Sequence, residues 1–363
     1  MKLGTLVTGI FYGCFAAALY AQHAPASWND KSAAEYLDQR IAWWMDWPGA
    51  ARDHQTFCVS CHTAVPYAVA RPSLRTGTAA QTPSALERRL LDNVVRRVRM
   101  WKEVEPFYPT KKEADPKTVE SRGTESILNA LILGRYAAAG GELTPDTRKA
   151  FDNMWAEQIK SGDARGAWPW LQFHNSPWEG DSQYYGAALA AIATGIAPGD
   201  YRSTPEVRDG LKLLSEYLLR EQASQIPYHR VMLLWASAKL PGLLSRAQQK
   251  AIADETLAKQ QADGGFSLSF LVGGWKRRDN TPLETRSDGY ATGLILFVLQ
   301  QAGLPRTQPQ IQRGMEWLAS NQQTAGNWLA WSLNKQRDPA SDAGHFMGDA
   351  ATAYAVLALS NAK

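Results

Sequence analysis

Apolar residues recur with helical spacing along most of the chain. From residue 30 onward they fall at positions i, i+3, i+4 and i+7, which places them on one face of an α-helix. The alternation of apolar and polar residues that is typical of half-buried strands is nearly absent from the sequence. The pattern therefore predicts an all-α fold.

Two kinds of predicted helix alternate. The first is amphipathic and charged on its far side, and we expect it at 33–46, 86–101, 146–160, 205–222, 245–261 and 308–322. The second is rich in alanine, glycine and small apolar residues, and we expect it at 61–74, 124–139, 181–195, 228–240, 288–302 and 349–360. A helix that is apolar on most sides must be buried, so the second kind should be wrapped by the first. Six such outer–inner pairs, with a repeat of about 50–60 residues, predict an (α/α)6 toroid.

Several inner helices are expected to begin at a capping residue. The candidate starts are Thr124-Glu125, Asp181-Ser182, Ser287-Asp288 and Asp349. In a toroid of this kind the inner helices all start at the same end. Side chains placed at those starts would therefore face one cavity mouth.

The joints between pairs carry a repeated pattern in which glutamine is followed by glycine and an aromatic residue. Gln158 leads to Gly166-Ala167-Trp168, Gln260-Gln261 to Gly264-Gly265-Phe266, and Gln322-Gln323 to Gly326-Asn327-Trp328. Glutamine can bond free carbonyl groups at a helix end, glycine permits the chain reversal, and the aromatic ring closes the joint by packing.

With these joints the sequence resembles the squalene–hopene cyclase and prenyltransferase superfamily. The segments 260–266, 287–303 and 348–360 look like that family, and the resemblance covers roughly residues 85–360. It implies the toroid fold more strongly than an activity. The acidic Asp-x-Asp-Asp run of the cyclases is missing, and no cysteine follows Cys61 to complete a prenyltransferase zinc site. Asp181, Asp288 and Asp349 are more simply helix caps than catalytic carboxylates, and Asp288 and Asp349 are the candidate acids of the alternative, catalytic interpretation.

The first 21 residues have the layout of a secretory signal peptide. Lys2 precedes an apolar run that ends in small residues at Ala18 and Ala21. An uncleaved membrane anchor is the alternative, and a lipoprotein signal at Cys14 is a weaker one. Cleavage predicts a periplasmic or otherwise exported protein in which residues 22–363 form a single toroid domain. Membrane association is expected only if the segment stays uncleaved.

Composition narrows the function classes. The chain has 363 residues, and 39 basic minus 35 acidic side chains give a net charge of +4. A charge this small argues against a nucleic-acid surface, which needs a concentrated basic face. The 45% of apolar residues exclude a largely disordered chain, and three cysteines are too few for a disulfide scaffold.

One motif carries chemistry. Cys58-Val59-Ser60-Cys61-His62 matches Cys-x-x-Cys-His, the attachment signature of c-type haem. Its two thiols can form thioether bonds to the porphyrin vinyl groups, and the adjacent imidazole can reach the iron. The motif thus predicts one covalent haem c held by Cys58 and Cys61, with His62 as the proximal ligand. A redox-active disulfide is the main alternative, and a partial zinc site is the second.

The second axial ligand would decide what such a haem does. A methionine or histidine there favours electron transfer, and an open site favours ligand binding or catalysis. The candidates are His54, His174, His229, His345 and Met347. We prefer His345 or Met347, because they precede the sixth inner helix, which would neighbour the first across ring closure.

Three functions remain open at this point. The leading one is an exported haem c protein with a redox role, either in electron transfer with a partner protein or in oxidation of a hydrophobic small molecule. The second is an isoprenoid cyclase or isomerase with a single aspartate as acid. The third is a non-catalytic module that binds or senses haem or lipid.

Overall fold

The computed structural model describes Met1 and residues 27–75, 82–109, 116–180 and 182–360. Helices dominate these residues, as predicted. The six outer helices are α1 (Asp30–Asp46), α3 (Ala85–Arg99), α5 (Pro145–Ala156), α7 (Pro205–Glu221), α9 (Arg246–Leu257) and α11 (Pro309–Ser320). The six inner helices are α2 (Ala64–Ala70), α4 (Pro116–Gly140), α6 (Tyr184–Ile196), α8 (Pro227–Lys239), α10 (Gly289–Gln301) and α12 (His345–Leu359). The signal-peptide prediction for 1–21 falls, apart from Met1, outside the described residues.

The inner helices form a closed ring. Each contacts the next in the order α2, α4, α6, α8, α10 and α12, and α12 returns to contact α2. Almost every residue of α6, α10 and α12 is buried, which agrees with their nearly uniform apolar composition. The predicted (α/α)6 toroid is therefore confirmed. None of the helices within the described residues is both long and apolar enough to span a bilayer.

The glutamine joints (158–168, 260–266 and 322–328) have the predicted construction. In each, the glutamine Nε2 donates to the carbonyl of the joint's glycine, over 3.1 Å at Gly166, 2.8 Å at Gly264 and 3.0 Å at Gly326. All three glycines have φ between 90° and 98°, the left-handed region where a side chain is strained. The aromatic residues that follow, Trp168, Phe266 and Trp328, are at most 1% exposed.

The same glutamines also connect neighbouring pairs. Gln158 Nε2 donates to the Gly210 carbonyl on α7, and Gln260 Nε2 donates to the Gln310 carbonyl on α11. Gln322 Nε2 bonds the carbonyl of Asn29, the N-cap of α1, over 2.9 Å. This last bond closes the outer layer between the end and the beginning of the chain.

The predicted helix starts are only partly right. Asp288 is the N-cap of α10, where its side chain accepts from the Ala291 N–H. Thr124 and Asp349 are not caps, because α4 begins eight residues before Thr124 and α12 begins four residues before Asp349. Asp181 lies outside the described residues. The two aspartates of the capping prediction that are described thus have different structural roles.

Candidate functional site

The motif joint (47–63) connects α1 to α2 and differs from the glutamine joints. It contains a small antiparallel hairpin of β1 (Ala51–Arg52) and β2 (Thr56–Phe57), which leads directly into Cys58. Asn93 of α3 fixes this entry, since its side chain accepts from the Phe57 N–H and donates to the Phe57 carbonyl. Ser60 Oγ then accepts from the Thr63 and Ala64 N–H groups at the start of α2. The motif is therefore held in a defined turn.

Both motif cysteines are unpaired and buried. Cys58 is 6% exposed and Cys61 is 7% exposed, and neither forms a disulfide. Burial raises the pKa of Cys58 to about 12 and that of Cys61 well above its ordinary value. A redox-active disulfide needs a thiolate of low pKa in an electropositive, partly exposed place. These surroundings disfavour the disulfide alternative.

His62 is surrounded by aromatic rings. Phe346 stacks on its imidazole with a centroid distance of 3.8 Å, and Trp44 meets it edge-on at 4.9 Å. Trp178 approaches to 5.7 Å from the segment before α6. Burial, followed by the nearby charges of Arg40 and Arg337, lowers the pKa of His62 to about 3. The imidazole is therefore neutral at physiological pH, which is the form that binds metals.

His62 lines a partly open cavity of about 190 Å³. The segments preceding α2, α4, α6 and α12 all contribute to this cavity, as expected if the inner helices start at one end of the toroid. Its other lining residues include Tyr108, Trp178, Glu179, Arg337, Phe346 and Met347. The sequence prediction of a shared mouth near the motif agrees with this placement.

The two preferred distal candidates differ in position. Met347 is 3% exposed and lines the same cavity as His62, whereas His345, two residues earlier, is not among the lining residues. Both lie in the first turn of α12 rather than before it. The predicted proximity of α12 to α2 across ring closure is confirmed.

The other three candidate ligands, His54, His174 and His229, make other contacts. His54 is bonded to Asp53 over 2.8 Å, and His174 stacks on Trp275 with a centroid distance of 4.2 Å. His229, on α8, is buried against Tyr184, and burial lowers its pKa to about 4. None of the three lines the His62 cavity.

The carboxyl oxygens of both candidate acids, Asp288 and Asp349, already accept hydrogen bonds within the protein. Asp288 accepts from the backbone N–H groups of Ala291 and Leu268 over 2.8 and 2.6 Å, and burial raises its pKa to about 7. Asp349 is 1% exposed and pairs with Arg40 of α1 over 2.7 Å. These contacts support structural roles for both carboxyl groups.

Sequence reasoning missed two groups at this site. Glu179 lines the cavity, and burial raises its pKa to about 6. It directly follows the Trp-rich stretch 167–178, but an isolated glutamate in a loop gives no distinguishing signal. Thr63, the residue after the motif, bonds both His62 and Asp349.

Among the described residues, no group of three or more His, Cys, Asp or Glu side chains is placed to hold a metal ion. A haem iron needs a different donor set, because the porphyrin supplies most of its ligands and the protein only one or two.

Comparisons with known proteins support the fold. No protein-family model matches the chain, and no curated protein sequence does. A glycosidase variant matches with a TM-score of 0.51 at 12% identity, over 91% of this chain and 97% of the other. An inactive variant of an α-1,6-mannanase of Salegentibacter sp., in complex with α-1,6-mannotriose, also gives 0.51 at 12% identity, over 91% and 100%.

A third structure, the type II terpene cyclase MstE from Scytonema, matches with a TM-score of 0.49 at 13% identity, over 92% of this chain and 98% of the other. We draw nothing from a match this weak. At identities of 12% the two stronger likenesses show a shared toroid fold and leave the activity to be argued from the site.

Proposed function

We propose that this protein is an exported c-type haem protein in which the toroid holds the cofactor and electron transfer is its role. The observation that carries the proposal is the motif joint. Two unpaired thiols and a neutral imidazole stand together there, beside a cavity that Met347 also lines. This donor set fits a c-type haem: Cys58 and Cys61 would hold the porphyrin, and His62 would bind its iron.

The size of the cavity beside His62 limits how a porphyrin could fit there. A cavity of about 190 Å³ is smaller than the ~300–1,000 Å³ that usually holds a drug-sized ligand. A bound porphyrin therefore needs a wider site beside His62 than this cavity provides. Phe346 stacks on the face of the imidazole, whereas a ligating nitrogen binds iron in the plane of the ring, so this contact is compatible with the proposal.

The proposed role follows from the second ligand. A haem supplies one-electron chemistry when bound, and methionine as partner to histidine favours electron transfer over ligand binding. We therefore propose Met347 as the distal ligand and a redox protein as the partner.

Attachment is tested by co-expressing the chain with a haem-maturation system. We expect a red protein whose haem stain survives denaturing electrophoresis. Cys58→Ser and Cys61→Ser should each leave only one thioether bond, and the double variant should lose the covalent stain. Cys14→Ser is the matched control, because residue 14 is expected to leave with the signal peptide. Wild-type protein without covalent haem under these conditions would overturn the proposal.

Ligation is tested by absorption spectra with and without carbon monoxide. A low-spin spectrum that carbon monoxide does not change is expected for the wild type. Met347→Leu should open the site to carbon monoxide, whereas His345→Gln, two residues away, should leave the spectrum unchanged. Ready carbon monoxide binding by the wild type would contradict the electron-transfer role and favour sensing or catalysis.

A further inference from the structure

A buried chain of hydrogen bonds runs from His62 into the toroid. His62 Nδ1 lies 2.9 Å from Thr63 Oγ1, and the Thr63 hydroxyl donates to Asp349 Oδ2 over 2.7 Å. Asp349 Oδ1 accepts from Arg40 Nε over 2.7 Å and from the Tyr36 hydroxyl over 2.9 Å. The chain thus joins the motif joint, α12 and α1.

All members beyond His62 are withdrawn from water. Thr63 is 2% exposed and Asp349 is 1% exposed, and Tyr36 and Arg40 are 7% and 9% exposed. In such surroundings each donor needs an acceptor, because an unmade hydrogen bond is not replaced by water. The direction of every bond can therefore be worked out.

The direction follows from Asp349. Burial raises the pKa of Asp349, but the Arg40 guanidinium at 2.7 Å and the hydrogen bonds from Thr63 and Tyr36 oppose that rise. With these three donors directed at it, we take Asp349 as the carboxylate, which can only accept. The Thr63 hydroxyl has one proton and gives it to Asp349 Oδ2, so Thr63 Oγ1 can only accept from His62. The bond between His62 Nδ1 and Thr63 Oγ1 then requires a proton on Nδ1.

The opposite tautomer conflicts with this arrangement. With its proton on Nε2, His62 would present a lone pair on Nδ1 to Thr63. Thr63 would have to turn its one proton toward His62, and its oxygen lone pair would then face Asp349 Oδ2 over 2.7 Å. Two acceptors at that distance repel each other, so the proton belongs on Nδ1.

We infer that Thr63 and Asp349 are positioning residues that hold His62 in the tautomer with its proton on Nδ1 and a free lone pair on Nε2. The inference deepens the proposed function and rests on it. The tautomer matters because it makes Nε2 the nitrogen that can bind the haem iron. A carboxylate behind a ligating histidine fixes the ring and makes it a stronger donor. Here the carboxylate acts through a hydroxyl group.

The test is the ¹⁵N chemical shifts of His62 in the full chain, labelled and prepared without haem maturation. We expect the Nδ1–H tautomer to dominate in the wild type and in Thr63→Ser, which keeps the hydroxyl group. Thr63→Val should lose this preference. A wild-type spectrum with the proton mainly on Nε2 overturns the inference. This measurement is made on the wild type, so it does not depend on whether a variant folds.

A second readout uses the haem-loaded protein. Thr63→Val should raise the reduction potential, because a weaker imidazole donor stabilises the ferric iron less, and Thr63→Ser should stay close to the wild type. Equal potentials in all three would contradict the positioning role. The Nδ1–H tautomer in a chain that never attaches haem would instead support the inference and overturn the proposed function, so the two failures are distinguishable.

Discussion

The glutamine joints and the motif joint both connect an outer helix to an inner one, but they use their polar groups differently. In the glutamine joints the side-chain amide bonds backbone carbonyls, and a buried aromatic ring seals the place. In the motif joint the polar side chains bond one another across three elements and stand beside a cavity. The first arrangement gives backbone carbonyl groups their hydrogen-bond partners, whereas the second fixes the orientation of the His62 side chain.

Asp288 and Asp349, the two candidate acids, show the same contrast. Asp288 accepts from backbone N–H groups at the start of α10, and Asp349 accepts from side chains of α1 and of the motif joint. Both were candidate acids in the sequence. Only the partners show that one completes a helix end and the other belongs to the surroundings of His62.

The largest expected effect is at the motif joint. Asp349→Ala leaves Arg40 buried without its partner, and breaking such a pair costs about 3–5 kcal/mol in free energy of unfolding. The control is Asp254→Ala, which removes an exposed pair with Lys250 that is worth at most ~1 kcal/mol. Urea unfolding measures both. Losses of equal size would contradict a buried network at the motif joint.

The next largest loss of stability is expected at the last glutamine joint, where Gly326 packs closely against the backbone of Ser32. A Cβ at Gly326 would lie 2.2 Å from the Ser32 carbonyl oxygen, whereas a Cβ at Gly303 would meet nothing within 4 Å. The two glycines have almost the same φ, 91° and 94°. Gly303→Ala should therefore cost about 1–2 kcal/mol for the left-handed backbone. Gly326→Ala should cost about 2 kcal/mol more from the clash, and thermal or urea unfolding that gave equal costs would reject tight closure there.

The contribution of the glutamine side chain to a joint is tested by comparing substitutions at two neighbouring residues, Gln260 and Gln261. Gln260→Leu removes the donor to the carbonyls of Gly264 and Gln310 and should cost about 1–3 kcal/mol. Gln261→Leu loses only one exposed bond, to the Thr285 carbonyl, and should cost less than ~1 kcal/mol. A larger loss at Gln261 would show that Gln260 is not the residue that holds the joint.

The last prediction concerns pH, in the narrow range near the raised pKa of Asp288. Burial raises the pKa of Asp288 from 3.8 to about 7, so the folded protein keeps this proton at pH values where the unfolded chain has lost it. The free energy of unfolding should therefore fall as pH rises between about 4 and 7, and level off above that. Asp288→Asn keeps a capping side chain and should remove about 1 kcal/mol of the decrease between pH 6 and pH 8. A variant with an unchanged pH profile would place the proton elsewhere.

Much of the fold could be predicted from the sequence. The alternation of charged and nearly uncharged helices repeats six times, and burial follows directly from that composition. The glutamine joints could also be predicted, because Gly166, Gly264 and Gly326 each follow a glutamine by four or eight residues and precede a buried aromatic residue by two. Local pattern determines each of these features.

The site could be predicted only in part. Cys58, Cys61 and His62 are adjacent in the sequence, so the motif was visible there. Its surroundings come from residues far away along the chain, such as Asp349, which is 286 residues from Thr63. The helix start at His345 also moved Asp349 from a cap into the helix, and no capping signature marked that start. The repeat predicts that α12 lies beside α2, but which side chains meet there depends on packing between distant segments, which local pattern does not encode.

The most direct test of the account is the intact mass of the mature chain after co-expression with a haem-maturation system. We expect one haem to be added to the wild type and to Cys14→Ser, and none to the Cys58→Ser/Cys61→Ser double variant. An unmodified wild-type mass, obtained while a control c-type cytochrome matures in the same cells, would contradict it.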